Sequence, residues 1–128
     1  MAAEKGQTFS AQETVDRYRA IYYAGASGDF NPIHIDPEFG KKVGLGGAIL
    51  QGLCTLAFTA KTVTDWLGDP GKLKKLKCRF SFPVMMEDTL TIQGEVADVK
   101  NGRGVVNLKV TKQSGQEVLT NVVAEVEA

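Results

Sequence analysis

The sequence is poor in cysteine and histidine, the residues that most often build disulfide frameworks and metal sites. Its 128 residues contain two cysteines, Cys54 and Cys78, and a single histidine, His34. The two cysteines lie far apart without C-x-x-C spacing, and each falls in an apolar pattern, so we interpret both as reduced core residues. This scarcity of cysteine favours a cytoplasmic protein.

The sequence also lacks long hydrophobic runs and an excess of either charge. Its longest apolar segment, residues 48–60, contains Gln51 and Gly52 and is shorter than the roughly 20 residues needed to cross a bilayer. Residues 1–7 contain no apolar stretch typical of a targeting sequence. The 15 Lys and Arg balance the 15 Asp and Glu, which argues against a global attraction to nucleic acid. We therefore expect neither a membrane nor a nucleic acid as a partner.

What the sequence does contain is typical of an ordinary globular chain. Hydrophobic residues make up 43% and charged residues 23% of the composition, which excludes disordered and fibrous classes. The length fits one core, and no internal repeat or linker interrupts it. We expect a single domain over residues 1–128.

Helix signals dominate the first half of the chain. Ser10 and Glu13 have the spacing of a capping box, which predicts a helix from about Ala11 to Tyr23. Asp36 followed by Pro37 predicts a second helix start, with the aspartate as N-cap and the proline at the first helical position. The glycines that follow this second start predict that its helix is short.

A longer helix is predicted from Ala48 to about Leu67. Apolar residues recur there at spacings of one, three and four, as expected for a mostly buried helix. They are Ile49, Leu50, Leu53, Leu56, Ala57, Ala60, Val63 and Leu67. A glycine-rich segment precedes this helix, so a ligand could approach the backbone closely at its N-terminus.

After Gly71 the apolar period changes to two, which predicts four strands. The alternating apolar positions begin at Leu76, Leu90, Val106 and Val118. Asn101-Gly102 and Ser114-Gly115 are typical hairpin turns between the last three strands. The pattern predicts an α+β protein in which an antiparallel meander is covered by the long helix.

The single histidine lies in a loop rich in glycine and proline. The segment Tyr23 to Asp36 places His34 five residues after Asp29, and this combination suits proton transfer near neutral pH. Two other interpretations remain for these residues. Asp29 to Pro32 alone fits an Asx-type turn without chemistry. A metal site of Asp29, His34 and Asp36 is disfavoured, because Asp36 is better used as an N-cap and no second histidine exists.

The pattern Ser-Gly-Asp-x-Asn-Pro-x-His-x-Asp and the order of elements resemble the MaoC-like hydratase/dehydratases. Single-domain members of that family include R-specific enoyl-CoA hydratases and (3R)-hydroxyacyl-ACP dehydratases. The resemblance covers nearly the whole chain, is most specific over Tyr23 to Asp36, and is reinforced by the Val43-Gly-Leu motif and by residues 66–71. It implies a hot-dog fold, in which a curved antiparallel sheet wraps around a long central helix, and a homodimer.

The resemblance also implies an activity: reversible hydration of trans-2-enoyl thioesters to (3R)-3-hydroxyacyl thioesters, carried by CoA or by an acyl carrier protein, with no cofactor or metal. Asp29 and His34 correspond to the catalytic pair that holds one water. Asn31 would fix the loop or orient that water. The backbone N–H of Gly52 corresponds to the donor for the thioester oxygen. Gln51 stands where the family commonly has histidine, and it can form hydrogen bonds but cannot titrate.

Two rival functions remain open at this point. One is a thioesterase on the same fold, and the other is a non-catalytic acyl-thioester-binding subunit of a heterodimer. The Ser-Gly-Asp-x-Asn-Pro-x-His pattern belongs to the hydratase branch, and non-catalytic subunits tend to have lost the aspartate or the histidine, whereas this chain has both. The basic run from Lys72 to Arg79 fits either a solvated strand face or a surface for the phosphates of CoA or an acidic carrier protein.

Overall fold

An antiparallel five-stranded sheet and one long helix form most of the structure, a computed structural model that describes residues 2–128. The strands are β1 (Thr8–Thr14), β2 (Leu73–Phe80), β3 (Thr89–Lys100), β4 (Arg103–Lys112) and β5 (Glu117–Glu127). The helices are α1 (Arg19–Ser27), α2 (Pro32–Ile35), α3 (Pro37–Lys42) and α4 (Gly52–Leu67), with a 3₁₀ turn at Pro70–Lys72. The strand order across the sheet is β1-β3-β4-β5-β2, and all neighbouring strands are antiparallel.

The sheet curls around α4. This helix contacts β1 and β2, which lie at opposite edges of the sheet, as well as β3. In a flat sheet with strands about 4.8 Å apart, the two edge strands would be about 19 Å apart, whereas a helix is only about 10 Å wide. Both edges reach one helix only if the sheet is curved. The predicted α+β class and hot-dog arrangement are confirmed.

The core lies between α4 and the concave face of the sheet. The predicted alternation is confirmed in β4, in β3 up to Val96 and in β5 from Val122 onward, where one residue in two is buried. It fails at the start of β5, because Val118 and Leu119 are both buried and Thr120 is not. The buried positions include Leu90, Ile92, Val96, Val106, Val110, Val118, Val122 and Val126. From α4, Val63 and Leu67 complete this core, together with Cys54. The predicted turn at Asn101-Gly102 is also confirmed, with positive φ angles of 53° and 76° as a type I′ hairpin requires.

The predicted helix from Ala11 to Tyr23 is wrong over its first half. Residues 8–14 form strand β1, which pairs with β3 from Thr8↔Glu95 to Thr14↔Thr89. The packing of Phe9 explains why this segment forms a strand. The Phe9 ring stacks on the Trp66 ring, with 4.3 Å between the ring centroids. The same ring covers Gly94, where a Cβ would overlap it. Tertiary packing therefore outweighs the local capping-box spacing, and α1 begins only at Arg19.

The predicted four-strand meander and the start of the long helix also need correction. β3, β4 and β5 form a meander, but β2 pairs with β5 at the far edge rather than with β3. The long helix begins at Gly52 rather than at Ala48. Ile49 instead forms an antiparallel bridge with Met85, and the Leu50 N–H donates to the Val84 carbonyl at 2.7 Å. Burial extends the apolar pattern into this non-helical segment, which is why periodicity placed the helix start too early.

Both thiols are free: Cys54 is buried and Cys78 is partly buried. Burial raises the pKa of each thiol above its ordinary value, which disfavours the reactive thiolate. Across residues 2–128, none of the helices is long and apolar enough to cross a membrane.

Candidate active site

His34 is positioned by a very short helix. α2 has only four residues, with Pro32 at its first position and Asn31 as N-cap. The Asn31 side-chain oxygen accepts from the Ile33 N–H at 3.2 Å, which satisfies a donor that the helix itself cannot. Asn31 therefore caps the helix that carries His34. His34 is only 9% exposed.

Asp29 lies where α1 ends and the chain turns. Gly28 caps α1 with φ of 80°, a conformation that favours glycine. The Asp29 N–H donates to the Ser27 hydroxyl at 3.1 Å, and Asp29 Oδ1 accepts from the Asn31 N–H at 3.3 Å. The Asx-type turn is therefore present, but it uses only one carboxylate oxygen. The other oxygen, Oδ2, faces His34.

Asp29 and His34 face each other without a direct hydrogen bond between their side chains. His34 Nε2 lies 3.7 Å from Asp29 Oδ2, and the Asp29 side chain is 48% exposed. His34 Nδ1 lies 2.8 Å from the Ile49 carbonyl oxygen. That oxygen can only accept, so Nδ1 carries the proton in the neutral ring and Nε2 presents a lone pair. Nε2 and Oδ2 are then both acceptors, so one water can donate a hydrogen bond to each of them.

These two residues line a pocket of about 430 Å³. Its other walls are mostly apolar, as in typical small-molecule sites. The apolar wall residues are Ile49, Leu50, Leu53, Phe80, Phe82, Pro83, Val84, Val118 and Leu119. Leu53, Phe80 and Phe82 are also exposed to solvent. The pocket therefore combines two proton-handling groups with a surface suited to an acyl chain.

Gly52 lines the same pocket at the first position of α4. A first-turn N–H has no carbonyl partner within its helix, and the helix N-terminus favours negative charge. A Cβ at this position would lie 2.8 Å from Phe80 Cδ1, so the close packing of that ring requires glycine. The residue predicted to donate to the thioester oxygen thus lies in the same pocket as Asp29 and His34.

Gln51 is almost fully buried, with 1% of its surface exposed. Its side-chain nitrogen donates to the Ala20 carbonyl of α1 at 2.9 Å. Its Oε1 is buried and has no hydrogen-bond partner within residues 2–128. The side chain therefore connects the start of α4 to α1, the helix that leads to Asp29.

Asp36, the third residue considered for a metal site, has a different task. Its Oδ1 accepts from the N–H groups of Glu38 and Phe39 and caps α3, as the sequence predicted. In the described part of the chain, no group of three or more His, Cys, Asp or Glu side chains is arranged to hold a metal ion.

Some residues of the site were not found from the sequence. The Ile49 carbonyl that orients His34 has no side-chain signature, because any residue supplies a carbonyl. Val118 and Leu119 come from the C-terminal strand and reach the pocket only through the sheet order. Adjacent buried positions on β5, together with the positive φ of 51° at Asn121, are the nearest local sign of a bulge there.

A nearly buried ion pair lies next to the pocket wall. Lys112 Nζ contacts Asp88 Oδ2 at 2.6 Å, with side-chain exposures of 12% and 9%. Gln113 Nε2 donates to Asp88 Oδ1 at 2.7 Å, and the Met85 N–H donates to Oδ2 at 2.8 Å. Burial alone would raise the pKa of Asp88, but the hydrogen bonds from Lys112, Gln113 and Met85 outweigh it and hold the pKa below its ordinary value.

The fold and the pocket define the class of protein: a hot-dog protein with an aspartate–histidine pair at an apolar pocket. Residues 1–118 match the family described as MaoC like domain. The chain belongs to this family, as its sequence motifs predicted.

Comparison with individual proteins agrees with this assignment. The chain is 34% identical over 119 residues to a probable enoyl-CoA hydratase 2 of Dictyostelium discoideum, covering 91% of this chain but only 40% of that protein. Among solved structures, an R-hydratase from Pseudomonas aeruginosa has a TM-score of 0.89 at 26% identity, covering 98% of this chain and 82% of that one. An (R)-hydratase from A. caviae shares the fold, with a TM-score of 0.89 at 23% identity and coverage of 98% and 96%.

Proposed function

We propose that residues 1–128 form one catalytic domain that adds water reversibly to trans-2-enoyl thioesters and yields (3R)-3-hydroxyacyl thioesters. The observation that carries this proposal is the pairing of Asp29 Oδ2 with the lone pair of His34 Nε2, 3.7 Å apart at the wall of an apolar pocket. The enoyl-CoA hydratase 2 and R-hydratase names of similar proteins support it.

In the proposed reaction both residues bind one water. The water oxygen forms a bond to C3 of the enoyl group while His34 Nε2 accepts a hydrogen bond and orients the lone pair of the oxygen. Asp29 Oδ2 accepts a proton from the water and delivers a proton to C2, so the product gains H and OH and both side chains return to their starting states. Positioned acid–base groups of this kind typically contribute 10²–10⁴-fold to the rate.

Negative charge develops on the thioester oxygen as the water attacks. The Gly52 N–H at the start of α4 is the proposed donor to that oxygen, and a donor of this kind is typically worth roughly 3 to 4 kcal/mol. Asn31 caps α2, and its proposed role is to hold His34 in position relative to Asp29. Gln51 holds the start of α4 against α1, so its proposed role is to fix the position of the Gly52 donor.

The test follows the absorbance of the enoyl-thioester conjugation with crotonyl-CoA, a longer trans-2-enoyl-CoA and an enoyl-acyl carrier protein. We expect loss of the signal with at least one carrier, and a decrease of about a hundredfold or more in Asp29→Asn and His34→Gln. A thiol assay runs in parallel. Thiol release without hydration would mean a thioesterase, and binding without turnover on any carrier would mean a non-catalytic subunit.

We further propose that the active form is a homodimer. Leu53, Phe80 and Phe82 are 60%, 54% and 47% exposed around the pocket, and this cluster is next to β2, an edge strand of the sheet. Exposed apolar patches and open strand edges are typical sites of association. The mass of the purified chain by sedimentation tests this: an active dimer supports the proposal, and an inactive monomer that gains activity with a second protein supports a heterodimer.

A cytoplasmic location is proposed from the two free thiols, which suit a reducing compartment. Imaging of the tagged full-length protein tests it, and concentration of the signal in an organelle would contradict it.

A further inference from the structure

We propose that Asp88, Lys112 and Gln113, here called the anchor cluster, position His34 for catalysis through the backbone of Met85 and Ile49. The inference deepens the proposed function, because it assigns a role to residues that do not line the pocket. Its four links are the cluster itself, the turn at Met85 to Asp88, the segment at Ile49 and Leu50, and the imidazole ring.

The first link is the anchor cluster itself, in which both oxygens of the Asp88 carboxylate accept hydrogen bonds. Asp88 Oδ2 accepts from Lys112 Nζ and the Met85 N–H, and Oδ1 accepts from Gln113. Gln113 Oε1 in turn accepts from the Thr89 N–H at 2.9 Å. Burying two charges is costly unless the pair is tight and further hydrogen bonds satisfy it. The cluster meets that condition and therefore has one well-defined geometry.

The second link is a strained turn that this cluster holds. Glu87 has a φ of 70°, a left-handed conformation that is uncommon for a residue other than glycine and persists only where the surroundings enforce it. The Met85 N–H binds the Asp88 carboxylate at one end of the turn. At the other end, the Val15 N–H donates to the Asp88 carbonyl at 2.8 Å. The turn is thus fixed by side-chain and backbone contacts together.

The third link joins this turn to the segment before α4. The Leu50 N–H donates to the Val84 carbonyl at 2.7 Å, and Ile49 forms an antiparallel bridge with Met85. The Ile49 N–H also donates to the Ile33 carbonyl at 2.9 Å. Ile49 therefore lies between the turn on one side and the helix of His34 on the other.

The fourth link is the imidazole itself. The Ile49 carbonyl accepts from His34 Nδ1 at 2.8 Å, which selects the tautomer with a lone pair on Nε2. Helix α2 has four residues, too few to be stable alone, so the ring depends on this acceptor for its orientation. If the turn moves, the acceptor moves with it. The alternative is that the anchor cluster contributes only to stability.

The experiment uses the fact that His34 is the only histidine in the chain, so its ¹⁵N NMR signals need no assignment. The variants are Lys112→Met, which removes the charge partner, and Gln113→Ala, which removes one hydrogen bond to Asp88. In the unmodified protein we expect the Nδ1–H tautomer. In both variants we expect a shift toward Nε2–H and a fall in kcat of about tenfold or more, with KM changed less than about threefold. Lys112→Arg should restore both values toward those of the unmodified protein.

Two controls separate positioning from stability and packing. Val126→Ala removes buried methyl groups at the far end of β5 and should lower stability without changing the tautomer or kcat. Lys112 also lies 5.7 Å from the ring centroid of Phe82, a pocket residue, so Gln113→Ala shows whether the effect requires that contact.

The inference would be overturned if Lys112→Met and Gln113→Ala fold but keep the His34 tautomer of the unmodified protein. It would also be overturned if Val126→Ala changed the His34 tautomer as much as those two variants do. A changed tautomer with no hydratase activity in any form would contradict the proposed function, yet it would support the connection from the anchor cluster to His34. The NMR readout does not depend on turnover, so the two failures are distinguishable.

Discussion

Two aspartates of this protein face a basic side chain, and they do so in opposite ways. Asp88 Oδ2 lies 2.6 Å from Lys112 Nζ in a nearly buried cluster. Asp29 Oδ2 lies 3.7 Å from His34 Nε2, and the Asp29 side chain is half-exposed. The first carboxylate has partners on both oxygens, and the second keeps Oδ2 and the facing Nε2 open to a shared water. The Asp88 pair supports the structure with its hydrogen bonds satisfied, whereas the proposed catalytic pair leaves some of its hydrogen-bonding capacity for a ligand.

The largest expected effect is on stability, at the buried pair. Asp88→Leu leaves the Lys112 ammonium buried without its partner, and breaking such a pair costs about 3–5 kcal/mol. Urea unfolding at one fixed protein concentration measures this loss. The double variant Asp88→Leu/Lys112→Met should recover most of it, because no uncompensated charge remains. A double variant as unstable as the single one would contradict this explanation.

The second largest effect is expected on activity, at the pair of Asp29 and His34. Asp29→Asn keeps the Oδ1 acceptor of the turn but removes the proton acceptor, so we expect activity to fall about a hundredfold, or roughly 2.7 kcal/mol. Its unfolding midpoint should stay close to that of the unmodified protein. Asp65→Asn, which alters an exposed carboxylate paired with Lys61 on α4, is the matched control and should retain full activity. A large loss of stability in Asp29→Asn would mean that the two pairs do not differ as proposed.

A smaller effect is expected at Gly52. A Cβ there would press on the Phe80 ring at 2.8 Å, and relief of this contact displaces the proposed donor. Gly52→Ala should lower kcat about tenfold in the absorbance assay. Gly25→Ala is the control, because its Cβ in α1 would meet no atom within 4 Å, and it should gain about 0.5–1 kcal/mol of stability with unchanged kcat. If Gly52→Ala and Gly25→Ala had the same kcat, this would contradict the role proposed for Gly52.

The smallest effect is the pH dependence of the buried pair. The folded pKa of Asp88 is held low by its donors, so its stabilisation is complete above the unfolded value of about 3.9. It is lost as the pH falls from there through the lower folded pKa. The stability difference between the unmodified protein and Asp88→Asn should therefore narrow below about pH 4. A difference that stays constant down to pH 2 would show that the Asp88 pKa is not lowered.

The sequence was most informative where a signal is local. Asp36-Pro37 predicted the cap of α3, Asn101-Gly102 predicted a hairpin, and the spacing of Asp29 and His34 predicted residues that the fold brings together. β1 was missed because Ser10 and Glu13 satisfy a helix rule by chance, while the contact that decides the strand, Phe9 on Trp66, spans 57 positions of the numbering. The Ile49 carbonyl and the turn at Met85 to Asp88 were missed because they act through backbone groups, which do not depend on residue type.

The turn at Asp29 has a stereochemical consequence. A carboxylate in water has two equivalent oxygens, but here Oδ1 accepts from the Asn31 N–H and only Oδ2 faces His34. The water and the returning proton must then approach the same face of the planar enoyl group, which makes the proposed hydration a syn addition. Hydration in D₂O should place deuterium at C2 on the same side as the new hydroxyl group, as a single diastereomer.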